Sequence, residues 1–340
     1  MTAPDPGTEP RPAAPAPTRA AAATTATTPP AADTPATLTT STTATQTAEA
    51  RPAPARYHRG RRLTGRVLLY LGLAGFAAFL LLPFFWMVSS SLKANNEVFT
   101  IPVKWIPEVF HWSNYADIWT VSISAVASNM GIWLKNTMIL SVVVTVLQVF
   151  TGSFAAYGFS RIRFPGRDTL FLAYVATIAV PWQASMIPQY KLMSQVHLTD
   201  TLWSIIILQA FGAFGVFLMK QFYETIPEEL SESARLDGLS EYGIYWRIML
   251  PLSVPAIASL ALLTFVRTWN DFLGPKLYLR SPQNYTIQVG LKLFQADPMG
   301  SSLYGLMFAG SVLSVLPVAI IFMLGQRYFV EGVATSGLKG

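Results

Sequence analysis

Cysteine is absent from this chain of 340 residues, and charge is scarce: Asp, Glu, Lys and Arg together make up 12% of it. An ordinary soluble domain carries about 25%. Without cysteine there are no disulfides, no thiolate metal site and no cysteine nucleophile. Histidine is rare too. His58, His111 and His197 lie far apart in sequence, and isolated histidines read as surface or packing residues rather than ligands. No GxxxxGK[ST] phosphate loop occurs, so ATP binding is not expected on this chain. No HExxH, GxSxG or cluster of membrane carboxylates points to an enzyme. No catalytic residue, metal or cofactor is expected.

The net charge is +6. Six arginines between Arg51 and Arg66 account for the excess, and they sit beside an apolar run. That placement predicts a membrane flank rather than a nucleic-acid patch.

What the chain does have is apolar residues, 52% of the total, with a mean hydropathy of +0.39. They are gathered in about six blocks, each close to the ~20 residues that cross a bilayer as a helix. The blocks run over 66–88, 137–159, 169–187, 202–219, 252–274 and 303–326. The fold class expected is therefore all-α: a polytopic membrane protein of about six transmembrane helices. Interior prolines such as Pro181 and Pro317 do not defeat this, because neighbouring helices re-satisfy freed backbone groups. Small residues such as Gly152, Ser153, Ala155 and Ala156 predict close helix packing. Residues 1–60 are mostly Ala, Thr and Pro and predict a disordered tail, either a tether or a dispensable extension. No apolar stretch follows Met1, so a secretory signal is not expected. Residues 61–340 form the membrane domain.

Lys and Arg in short flanks set the expected orientation. The sequences "RYHRGRRLTGR" and "RIRFPGR", and the segment between blocks four and five, carry the basic residues. That puts these flanks and both termini in the cytoplasm of a plasma membrane.

Residues 225–251 hold an unusually polar stretch, "PEELSESARLDGLSEYGIYWRIMLP". Thr225 and Glu228 have capping-box spacing with Pro227 between them, which predicts a helix start. Leu230, Ala234 and Leu236 predict one apolar face. Gly238 predicts a left-handed stop, and Ser240 a cap for a second helix containing Ile244, Tyr245 and Ile248. Pro251 marks the entry to the next membrane helix. A connector lying on lipid would show Lys and Arg on its polar face. Glu228, Glu229 and Glu232 make this one acidic, so a protein groove is the expected partner.

The segment resembles the EAA motif of membrane subunits in binding-protein-dependent ABC importers. Glu232, Ser233, Ala234, Gly238, Ile248, Leu250 and Pro251 occupy the motif positions, with Ser233 where the family has alanine, and Asp237 precedes the glycine. The stretches "HWSNYADIW", "KNTMILSVVVTVLQVFTGSFAAYGFSRIRFPGR", "VPWQASMIPQYKLMSQVHLTDTL", "TWNDFLGPKLYL" and "RYFVEGVATSGLKG" are similar to the sugar-importing branch. The likeness covers roughly residues 65–340 and is nearest to the second permease subunit of maltose-type oligosaccharide importers. It implies a coupling helix that docks on a cytoplasmic ATPase. It also implies a companion permease, two ATPase subunits and an extracellular sugar-binding protein, besides membrane lipid. Glu232 is expected to make polar contacts with the ATPase, Ala234 to permit close approach, and Gly238 to set the turn.

Polar side chains inside membrane helices are candidates for the substrate path: Gln183, Arg267, Asn270 and Asp271, with Trp269 among them. Trp269 either stacks on a sugar ring or anchors the helix at the membrane interface. Arg267 and Asp271, four apart, have the spacing of a simple ion pair. An importer of another solute and a non-transporting scaffold stay open as alternative readings.

Overall fold

The computed structural model describes residues 58–121, 130–295 and 303–337. Apart from its last residues, the Ala/Thr/Pro-rich tail falls outside them. Every regular element among the described residues is helical. Four stretches are long and apolar enough to cross a membrane, and six if two bent helix pairs each count as one span. The fold is thus an all-α polytopic membrane fold.

Helix α1 (His58–Ser91) is the first element of the described residues. The most apolar window within its span Gly65–Ser91 buries nothing inside this chain; Leu68, Leu71, Phe79 and Leu81 are all exposed, and burial begins only at Ser89, Ser90 and Ser91. Apolar all round, the helix is suited to hydrocarbon rather than water. Its far end is tied down. The Asn114 amide at the start of α2 (Asn114–Asp117) donates to the Ser91 and Lys93 carbonyls at 2.9 and 3.0 Å. The Tyr115 hydroxyl meets Ser91 Oγ at 2.7 Å.

Helix α3 (Met130–Arg161) is the central rod, packed on α7 and α11, described below. It is apolar on every side, so greasiness does not separate its faces. Size and polarity do. The buried stripe holds Thr137, Ser141, Gln148, Gly152, Ser153 and Ala156 among larger Met130, Trp133, Leu140, Val144 and Tyr157, whereas Ile139, Val142, Val146 and Phe150 face outward. In lipid the helix interface is made of small and hydrogen-bonding residues, because the tails already solvate large apolar ones. Gly152 shows the reason: a Cβ there would lie 3.3 Å from the Gly215 backbone. At the other end of the rod, Trp133 and Asn136 donate to the carbonyls of Pro282, Gln283 and Tyr285, and Thr137 Oγ1 accepts from the Ile287 N–H at 2.8 Å.

The expected third span, 169–187, is not one straight helix. Helix α4 (Arg167–Ala176) passes through a 3-10 turn and meets α5 (Trp182–Gln195) at 98°. The cause is Pro181, which forces Val180 into an extended conformation (ψ 114°) by the steric rule for residues before proline. The fourth span is also interrupted. Helix α6 (Leu202–Gln209) and α7 (Ala213–Thr225) are separated at Ala210–Gly212.

Helix α8 (Glu229–Leu236) and α9 (Glu241–Ile244) follow. A π-helical turn, Tyr245–Met249, leads into α10 (Leu250–Leu252). The chain then bends by 77° into α11 (Val254–Trp269). The membrane helix starts beyond Pro251, with Pro255 in its first turn, where a missing N–H costs nothing. Helices α12 (Leu273–Tyr278) and α13 (Ile287–Leu293) lead to α14 (Tyr304–Gly337), which packs on α11.

Candidate functional site

The polar stretch between α7 and α11 folds into the two short helices expected, with a different start. Thr225 ends α7 and donates back to the Phe222 carbonyl at 2.7 Å. Helix α8 begins after Glu228 without any side-chain cap, so the expected capping box does not form. The stop is as expected. Gly238 has φ +83°. Leu239 N–H bonds the Ala234 carbonyl and Gly238 N–H the Arg235 carbonyl, both at 3.0 Å. This is the Schellman pattern, and it leaves a left-handed position that glycine occupies without strain. Ser240 Oγ then accepts from Gly243 N–H at 3.3 Å and caps α9.

The face of α8 turned inward is Ser231 and Ala234. Ala234 is packed in the chain's own core with Tyr157, Tyr223 and Met249, where its small side chain permits close approach to this chain's helices. Leu236 is not on that face; it is 90% exposed. Glu232, Ser233, Asp237 and Gly238 are exposed beside it. Ile248 and Leu250 pack against the core, while Pro251 is exposed. Leu230 is exposed as well, so the outward surface of α8 is acidic with two leucines, of which Leu236 protrudes further.

The basic loop after α3 anchors this segment. Arg161 donates to the Tyr223 and Ile226 carbonyls at 2.6 and 2.5 Å, closing the orphan C-terminal carbonyls of α7. Arg163 pairs with Glu228 at 3.2 Å and Arg235 with Glu241 at 2.7 Å. The burden of basic residues signals orientation in a sequence; their carbonyl and carboxylate partners are visible only in three dimensions.

The second candidate site is a cavity of about 680 Å³ at the break between α6 and α7. Breaking a helix frees carbonyls that hydrocarbon cannot satisfy. Here α3 supplies the donors: Gln148 Nε2 to the Gln209 carbonyl at 2.6 Å and Thr151 Oγ1 to the Ala210 carbonyl at 2.9 Å. Gln209 Nε2 donates to Asp271 Oδ2 at 3.0 Å, and Asp271 Oδ1 accepts from Gly274 N–H at 3.1 Å. Gln209 Oε1 is buried and has no hydrogen-bond partner. Arg267 lines the same cavity, with the aromatic rings of Trp182, Phe211, Phe214 and Tyr278.

Of the residues expected on a path, Arg267 and Asp271 line this cavity; Gln183, Trp269 and Asn270 do not. Arg267 and Asp271 make no direct salt bridge; Asp271 instead accepts hydrogen bonds from Gln209 and Gly274. Trp269 is 0% exposed. It stacks on Phe265 and donates to the Ser314 carbonyl at 3.1 Å, so it is a packing residue between α11 and α14, neither a wall of the cavity nor an interfacial anchor. Asn270 donates to the Val266 carbonyl at 2.8 Å and lines a separate small groove with Gln288, Ser311 and Ser314. Gln183 is exposed near the α4–α5 bend. Gln148 and Gln209 were missed by sequence reasoning. The signal available was a glutamine within each of two apolar helices.

Residues 148–335 match the family model described as the binding-protein-dependent transport system inner membrane component. The arabinooligosaccharides transport system permease protein AraQ of Bacillus subtilis is 33% identical over 262 residues, which are 76% of this chain and 91% of that protein. The maltodextrin transport system permease protein MdxG of the same organism is 35% identical over 210 residues, 61% of this chain and 75% of that one. A chain in the crystal structure of a bacterial ABC transporter involved in the import of the acidic polysaccharide alginate superposes with a TM-score of 0.67. It has 27% sequence identity and covers 80% of this chain and 99% of that chain.

Proposed function

The chain belongs to the family of binding-protein-dependent transport system inner membrane components, a multi-pass membrane protein, and on that premise we propose that it is one of two homologous permease subunits of an ATP-driven importer of oligosaccharides. A solute-binding protein outside the cell delivers the sugar. Two cytoplasmic ATPase subunits supply the energy, and both termini lie on their side of the membrane.

Helix α8 carries this reading. It is exposed and acidic, and it is fixed to membrane helices at both of its ends, through Arg161 and Arg163 on one side and the Gly238 elbow on the other. Such an element moves with the bundle when a partner moves it. Glu232, Ser233, Leu236 and Asp237 form the face offered to the ATPase. Gly238 fixes the angle, and Ile248 and Leu250 seat the following helix.

The cavity at the α6–α7 break supports a saccharide as cargo. Sugars combine hydroxyl groups with apolar ring faces. Amides and a carboxylate set among aromatic rings match both, and Gln209 Oε1 requires a donor that a hydroxyl provides. Relatives named for arabino-oligosaccharides and maltodextrin point the same way. The test is deletion of this chain followed by uptake of radiolabelled arabino-oligosaccharides and malto-oligosaccharides. Loss of one of these uptakes, restored by the intact chain, is expected. Unchanged uptake of both, with loss of a non-sugar solute, would overturn the sugar reading.

A further inference from the structure

Glu241 stands one residue after the Ser240 cap and uses its two carboxylate oxygens for different helices. Oε1 accepts from Arg235 Nε of α8 at 2.7 Å. Oε2 accepts from the Tyr157 hydroxyl of α3 at 2.5 Å. Tyr157 is buried between the rings of Tyr223 and Tyr245, so its hydroxyl is held in place by packing. We infer that Arg235, Glu241 and Tyr157 form a positioning relay, which makes α3 follow α8 when the ATPase moves it. This rests on the coupling role proposed above.

Helix α8 has eight residues and is too short to be rigid by itself. Its core-facing side is small, only Ser231 and Ala234, so side-chain ties must add to that packing for the bundle to follow it. Its other cross-tie, Arg163 to Glu228, joins side chains that are 82% and 51% exposed, and such a pair is screened and weak. Arg235 and Glu241 are themselves 35% and 41% exposed, and their bridge differs in that its other end is a buried hydroxyl on the central rod. Along that rod Gln148 lies nine residues from Tyr157, about 13 Å at 1.5 Å per residue, and Gln148 lines the cavity. The relay thus joins the ATPase-facing helix to the cavity wall through one continuous helix.

The absence of cysteine gives a direct test. Ala213→Cys, in the cavity wall, is labelled with a maleimide in the purified full complex, with and without Mg·ATP and vanadate. Three backgrounds are compared: otherwise wild-type, Glu241→Gln and Tyr157→Phe. Nucleotide is expected to change the labelling rate about twofold or more in the first, the low end of what residues along a coupling route contribute. The change is expected to be largely lost in both variants while ATP hydrolysis continues. Ser240→Ala, which removes the α9 cap but not the relay, is expected to keep it. A full nucleotide response in Tyr157→Phe overturns the relay, whatever Glu241→Gln does, because Tyr157→Phe leaves α8 and α9 untouched. No nucleotide response in the wild-type background would overturn the coupling role of α8 itself, and the relay with it.

Discussion

Gln209 Nε2 lies 3.0 Å from Asp271 Oδ2, and that contact ties the end of α6 to the turn after α11. Both residues line the cavity, and the carboxylate's other oxygen is occupied by Gly274 N–H. Asp271 therefore has a structural partner on each side and still borders the cavity. Asp271→Ala is expected to lower saccharide uptake about tenfold or more. It leaves Gln209 without its acceptor, and a lost partner in a buried network costs roughly 1–3 kcal/mol. Asp271→Asn keeps an acceptor for Gly274 and is expected to retain more uptake than alanine. Equal uptake by alanine, asparagine and wild type would remove Asp271 from the path.

Trp269 is expected to behave differently. It is wholly buried, with Ser314 and Phe265 as its partners. Trp269→Ala is expected to destabilise the protein by about 3–5 kcal/mol, the range for emptying an aromatic from a core. Trp269→Phe keeps most of the packing and loses one hydrogen bond, about 1 kcal/mol. Thermal unfolding in detergent measures both. Uptake per folded molecule is expected to be normal in Trp269→Phe; a selective loss of uptake at normal stability would return Trp269 to the path.

These two neighbours show what the sequence carries. Gly238, Ser240 and Pro181 act through local backbone rules, and their effects on α8, α9 and the α4–α5 junction follow from residue type. Asp271 and Trp269 are two apart on one strongly apolar stretch, and only the packing of α11 against α14 separates a cavity wall from a core residue. The α6–α7 break is hidden in the same way. "AFGA" contains no proline, and the break persists because Gln148 and Thr151, some 60 positions earlier, accept the cost of the freed carbonyls. The inward face of α3 escapes a hydropathy scan because it mixes small and polar residues with apolar ones such as Trp133 and Leu140, while the lipid-facing side is apolar too. Thr225 failed as a cap because its hydroxyl is satisfied within α7.

Asp200 supplies a pH prediction away from the transport chemistry. It lies in the turn between α5 and α6 and accepts from the Arg280 and Ser281 N–H groups at 2.8 and 2.9 Å and from the Ser281 hydroxyl. Burial pushes its carboxyl up, but these hydrogen bonds outweigh it and hold the group at about 2, below the ordinary 3.8. A carboxyl depressed in the folded state contributes stability that is complete above its unfolded value and lost as pH falls through the folded one. Asp200→Asn is a clean comparison, since asparagine also tolerates the φ of +61° found here. The stability advantage of wild type over this variant is expected to be full at pH 6 and to shrink from about pH 4 toward pH 2. An advantage independent of pH across that range would show that the carboxylate charge is not what holds the turn.

The elbow at Gly238 can be tested by separating backbone from bulk. A Cβ added there meets nothing within 4 Å, yet φ is +83°. Space is therefore not the constraint, and the left-handed backbone is. Gly238→Ala is expected to cost about 1–2 kcal/mol of local strain and to reduce transport in part. Gly238→Asn, which visits this region more readily, is expected to retain more transport than alanine. Gly238→Arg adds a long cation beside exposed Glu232 and Asp237, on the face proposed to meet the ATPase. The protein is expected to remain in the membrane, with transport abolished and ATPase co-purification weakened. Membrane abundance, pull-down of the ATPase and uptake measured on the same three variants order the effects. Normal uptake in Gly238→Arg would refute the assignment of this segment to coupling.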